Sequence, residues 1–96
     1  MMILQLFEYV GSFAENKDIA SDLRNNTIRP AIDKGEDIIL DFEGVDGATQ
    51  SFIHALISDL IRKYGVEIID RISFKNCNTT IQKIISIVVD YMQQAE

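Results

Sequence analysis

Polar residues break the apolar positions of this chain into segments with two different periods. Residues 2–10 (MILQLFEYV) are apolar except at Gln5 and Glu8, and Gly11-Ser12 ends the run, which predicts a first strand. Asn16 stands where a helix cap belongs, with Ile19, Ala20 and Leu23 following at helical spacing. Asn25-Asn26-Thr27 and then Pro30 disturb that helix, because proline disfavours α conformation at Arg29 and removes a donor. Two outcomes fit: a kink near Asn26, or a second short helix capped by Thr27 with Ile28, Ala31 and Ile32 facing inward. Gly35 closes the segment as a C′ residue.

The centre of the chain, residues 37–64, reads DIILDFEGVDGATQSFIHALISDLIRKY. The unbroken apolar run Ile38-Ile39-Leu40 predicts a strand over 36–42 that is covered on both faces. The loop EGVDGAT follows, with Gly44 and Gly47 free to take positive φ. A helix is predicted over 50–64, where Phe52, Leu56, Leu60 and Tyr64 fall four apart beside Ile53, Ile57 and Ile61. His54, Ser58, Asp59, Arg62 and Lys63 are left on its polar side, and Gly65 ends it. Residues 68–74 predict a third strand, at an edge because Asp70 and Arg71 interrupt it. Asn78 or Thr79 then caps a last helix whose inward positions are Ile81, Ile84, Ile85, Val88, Val89 and Met92.

This β-α-β-α-β-α order predicts one α/β domain over 1–96, with a three- to four-stranded, mostly parallel sheet. Helices mainly on one face would leave the other for a further strand, a partner or a second copy, so a homodimer is expected.

The charge narrows the function classes. A net charge of -6 and a sequence pI near 4.6 argue against a nucleic-acid surface, which needs clustered Lys and Arg, and against anionic membranes. One cysteine, Cys77, rules out an internal disulfide and a thiolate metal cluster, and fits a reducing compartment. The first residues lack the basic region of a secretory signal, and no apolar run approaches the ~20 residues that span a bilayer. The expected location is the cytoplasm.

Ligands of open parallel sheets gather at the C-terminal ends of the strands. That edge should hold Asp41, Glu43, Asp46, Thr49, Gln50 and Ser51, together with residues 76–80. The carboxylates lack a recognised metal spacing and read as solvated loop residues. Thr49 and Ser51 are both good helix caps. His54 has no cysteine or carboxylate partner suited to a triad, and Cys77 has no histidine behind it. GVDG is neither GxGxxG nor a Walker motif. The Tyr and Phe residues read as core. No catalytic residue, metal site or cofactor is predicted, and the chain is not expected to be an enzyme.

The stretch LDFEGVDGATQSFIHALI is similar to the segment of STAS domains, the anti-sigma-factor antagonist fold, that carries their regulatory serine. It most resembles the bacterial STAS-like family of unknown function, DUF4325, in its hydrophobic-Asp-Phe-x-x-Val strand, short loop and Ser-Phe at a helix start. The turn FKNCN adds to the likeness, which runs from about Asn16 onward. Aligned without gaps, Ser51 falls where typical antagonists carry a phosphorylated serine. The resemblance implies a partner ATPase or kinase of the histidine-kinase-like fold. Two departures stand out: Thr49 occupies a position that usually holds Asp, and Phe52 one that usually holds Gly, where it would pack inward.

The function expected is therefore a non-catalytic, protein-binding regulatory module. Its surface would comprise Glu43, Gly44, Asp46, Gly47, Thr49, Gln50, Ser51 and His54, with Ser51 as phosphoacceptor. The alternative is a small-ligand or nucleotide sensor that uses the helix N-terminus as an anion site.

Overall fold

The computed structural model describes residues 1–94. Among them, three parallel strands form the main sheet: β1 (Met2–Gln5), β3 (Ile38–Asp41) and β5 (Ile72–Lys75), in the order β1-β3-β5. Met2 lies opposite Ile38, and Ile38 opposite Ile72. The fold is α/β with a parallel sheet, as the alternating pattern predicts. The most apolar strand is central and the two more polar ones are edges. A second, two-stranded parallel sheet pairs β2 (Phe13–Ala14) with β4 (Gly47–Ala48). These strands are too short to leave a periodic signal.

The first strand is shorter than its apolar run. Leu6 N–H still donates to the Asp41 carbonyl at 3.0 Å, but β3 ends at Asp41 and offers nothing beyond it. The chain turns instead into a short helix, α1 (Phe7–Val10), which stops at Gly11 with φ of 69°. The predicted strand over 68–74 is cut in the same way. Upstream of the Ile38–Ile72 pairing there is no partner, so Val66–Arg71 winds into a 3-10 turn that buries Ile68. Arg71 is more than an interruption. Its guanidinium donates to the carbonyls of Ile32 and Glu36 at 3.3 and 2.8 Å, tying this turn to the end of the preceding helix.

That helix does not break. α2 (Lys17–Leu23) passes through a π-helical turn (Arg24–Ile28) into α3 (Arg29–Asp33). Asn16 caps it, its side chain accepting from the amides of Asp18 and Ile19 at 2.9 and 3.4 Å. Thr27 caps nothing, so of the two outcomes the structure is nearer the kink. The wide turn lets the chain remain helical ahead of Pro30, which has no N–H to give.

α4 (Gln50–Tyr64) packs against both α2 and α5 (Thr79–Gln94). Asn78 caps α5, its Oδ1 accepting from Ile81 N–H at 2.9 Å. One assignment on α4 is corrected: Ser58, placed on the polar side by spacing, is only 2% exposed. α4 is covered by helices on two sides, so its buried arc is wider than its apolar stripe. Gly65, with φ of 85°, ends the helix as expected.

Leu4, Ile38, Leu40 and Ile72 are buried on the sheet face that builds the core. On the opposite face Ile3, Gln5, Ser73 and Lys75 are exposed, and Ile39 of the central strand is buried among them. No helix of the described residues is long and apolar enough to cross a membrane.

Candidate functional site

The C-terminal ends of β3 and β5 lie side by side, and the loops leaving them are laced together. Asp41 ends β3, and its Oδ1 accepts from the Glu43 amide and from Asn76 Nδ2, each at 2.9 Å. Asn76 adopts φ of 58°, a conformation asparagine tolerates better than most residues, and this aims its amide across the sheet. Asn78 donates from Nδ2 to the Asp46 carbonyl at 2.6 Å while its Oδ1 caps α5. On the other side Ser12 accepts from Asp46 N–H at 2.7 Å, and Ala14 accepts from Thr49 N–H at 2.9 Å. The loop is thus pinned to β2 on one flank and to the asparagine turn on the other.

The Asn76 amide holds the Asp41 carboxyl below the ordinary aspartate range, helped by the Glu43 N–H and the charge of Lys75; burial opposes them. Burial raises the Cys77 thiol, and the Asp41 charge adds to the effect. A depressed carboxyl stabilises the fold above its unfolded pKa and loses that contribution as pH falls through the folded value. Acidification should therefore free the Asn76 side-chain amide before global unfolding. Its 15N–1H signals are expected to titrate with a midpoint below that of a model aspartate, and a midpoint at or above it would refute the linkage.

Gly44 has φ of 86°, as expected of this loop, and Phe7 lies against it. Gly47 does not take positive φ; it is extended in β4 beside Phe13. Glu43 and Asp46 are exposed. No three His, Cys, Asp or Glu side chains of the described residues group as a metal site.

Thr49 caps α4, its Oγ1 accepting from Phe52 N–H at 3.1 Å. Ser51 caps nothing. It sits in the first turn, exposed, and its hydroxyl has no hydrogen-bond partner among the described residues. Gln50, Ser51, His54, Ala55 and Lys17 line an open dish beside it. His54 is half-buried rather than free: its Nδ1 lies 3.3 Å from Ser58 Oγ, and its ring is 6.3 Å from that of Tyr91. Thr49→Ala is expected to cost about 1 kcal/mol in urea unfolding. Ser51→Ala should stay within about 0.5 kcal/mol of wild type. Equal losses would put the cap elsewhere.

The sequence profile of a STAS-like domain of unknown function matches residues 20–82, well over half of the chain. The protein belongs to the STAS-like DUF4325 family. The match spans β3, the pinned loop, α4 and the asparagine turn, whereas Ser12 and Ala14, which pin the loop, and Lys17, which lines the dish, lie before it. No curated protein and no solved structure matches the chain significantly. Within this STAS-like domain the two departures at the helix start have simple structural outcomes. Thr49 stands in for one good capping residue with another. Phe52 is fully buried, so it takes no space on the surface around Ser51.

Sequence reasoning assigned the Tyr and Phe residues to the core, but Phe7, Tyr9, Phe13 and Tyr91 are exposed, and so it missed Phe7 and Phe13, which lie against the loop. A signal was present. Residues 2–10 do not alternate, so they cannot all belong to a strand buried on one face, and Phe13 lies outside every periodic stripe.

Proposed function

We propose that this STAS-like domain is a non-catalytic regulatory module that binds a protein partner through the loop and helix start at 44–52. The partner class we infer is an ATPase or kinase of the histidine-kinase-like fold, and phosphorylation of Ser51 is the switch. The observation that carries this is the division of labour at the start of α4. Thr49 holds the cap, which leaves the Ser51 hydroxyl exposed and free of structural duty. A phosphate there would lie at a helix N-terminus, where negative charge is favoured by about 0.3–1 kcal/mol, so the fold tolerates the modification. It would also add charge to the dish that Ser51 shares with Lys17 and His54, changing what the surface attracts.

An open dish favours a protein surface over a small molecule, since drug-sized ligands bury 70–90% of their area. The test mixes the purified chain with ATPases of that fold from the same genome, with and without ATP. A complex that is lost on phosphorylation and in Ser51→Asp, with phosphate absent from Ser51→Ala, supports the proposal. Neither complex nor phosphotransfer, together with an inert Ser51→Asp, would overturn it.

A further inference from the structure

Two aromatic rings stand in solvent at the loop that leads into α4. Phe7 is 48% exposed and Phe13 50%. Each is backed by a glycine of that loop. A Cβ on Gly44 would lie 2.9 Å from Phe7 Cδ2, and one on Gly47 would lie 3.0 Å from Phe13 Cδ1. The rings are therefore supported on one side and bare on the other. Bare aromatic surface is unfavourable in water, and two such rings seated on glycines of one pinned loop offer a surface for contact.

The charges around the rings are mostly negative. A groove at Phe7 is lined by Gln5, Phe7, Glu8, Asp41, Glu43 and Gly44, with three carboxylates and no cation among them. Lys75 lies opposite Asp41 in the sheet register and offsets that one carboxylate. Asp46 is exposed next to Gly47, on the Phe13 side. Glu8, Glu43 and Asp46 make no ion pair within the described residues.

This combination selects an occupant. A second copy of the chain carries a net charge of -6 and would press like charges together. Phosphate backbones and anionic lipids are repelled for the same reason. A protein segment that brings aliphatic side chains to the rings and Lys or Arg to the carboxylates satisfies both features, and Arg can also lie over an aromatic face.

We propose that Phe7 and Phe13, rimmed by Glu8, Glu43 and Asp46, form a docking surface for a basic, apolar segment of a partner protein. The inference rests on the protein-binding role proposed for this module, but on neither the ATPase nor Ser51.

The full chain, labelled with 15N, is titrated with three synthetic peptides: alternating Leu and Arg, its Leu→Ser counterpart, and its Arg→Glu counterpart. The Leu/Arg peptide should shift the amides of Phe7, Phe13, Gly44 and Gly47 saturably. The other two should bind at least tenfold more weakly. Phe7→Ala should weaken the Leu/Arg peptide about tenfold, in the range of interface hot spots. The exposed pair Glu8→Lys and Glu43→Lys should do the same and flatten the salt dependence. Circular dichroism confirms that each variant is folded. The proposal is overturned by absent shifts, by shifts mapped elsewhere, or by equal binding of the Leu→Ser peptide, which would mean charge alone. It is also overturned if the same amides move on dilution without peptide, which would make a second copy the occupant. Loss of the ATPase result with peptide binding intact removes the ATPase partner and the Ser51 switch but not this surface; the converse removes only this surface.

Discussion

Phe52→Ala is expected to destabilise the domain by about 3–5 kcal/mol, the range for removing a fully buried phenylalanine. Phe52 has no exposed surface, and it lies in the first turn of α4, beside the Thr49 cap. The lost ring leaves a cavity in the core at the start of α4. Domains of this size hold roughly 5–15 kcal/mol in total, so the variant should sit near the edge of folding. Urea midpoints at constant slope measure the loss. A loss below about 1 kcal/mol would mean that the ring is not packed as described.

Gly44→Ala is expected to cost about 2 kcal/mol, from two separable sources. The backbone at φ of 86° penalises any Cβ, by about 1–2 kcal/mol. The new Cβ also meets the Phe7 ring at 2.9 Å. A double-mutant cycle with Phe7→Ala separates them. Truncating the ring should remove the steric part and leave the backbone part, giving a coupling of about 0.5 kcal/mol or more. Strict additivity would show that Phe7 does not rest on Gly44. Gly47→Ala is the control. Its backbone is unstrained and its neighbour Phe13 is half-exposed, so only a small steric cost is expected.

Residues with strong periodic neighbours were legible from the sequence. Ile38-Ile39-Leu40 announced the central strand, and the four-residue spacing of Phe52, Leu56, Leu60 and Tyr64 announced α4 to the residue. What escaped was set by partners distant in sequence. The first strand ends where β3 ends, and the last begins where β3 begins, and neither limit is written in their own residues. The same holds for Ser58, buried because helices flank α4 on two sides. At the site, the loop and helix start were found from fold logic, whereas the rings of Phe7 and Phe13 were hidden by the assumption that aromatic means interior. Which hydroxyl caps α4 could not be settled by residue type, because serine and threonine are both favoured caps. The structure assigns the cap to Thr49, whose hydroxyl accepts from the Phe52 amide.

The strand order carries a consequence for how the chain comes to be folded. β3 takes one neighbour from before it and one from well after it, with Met2 against Ile38 and Ile38 against Ile72. Every strand pairing among the described residues is parallel, so none of them is a hairpin, and parallel pairings this far apart close slowly. During synthesis the apolar run Ile38-Ile39-Leu40 emerges with one edge bare and with the α5 side of the core empty. It stays so until Lys75 and then α5 have left the ribosome, which is the interval in which an open, apolar strand is most exposed to wrong partners.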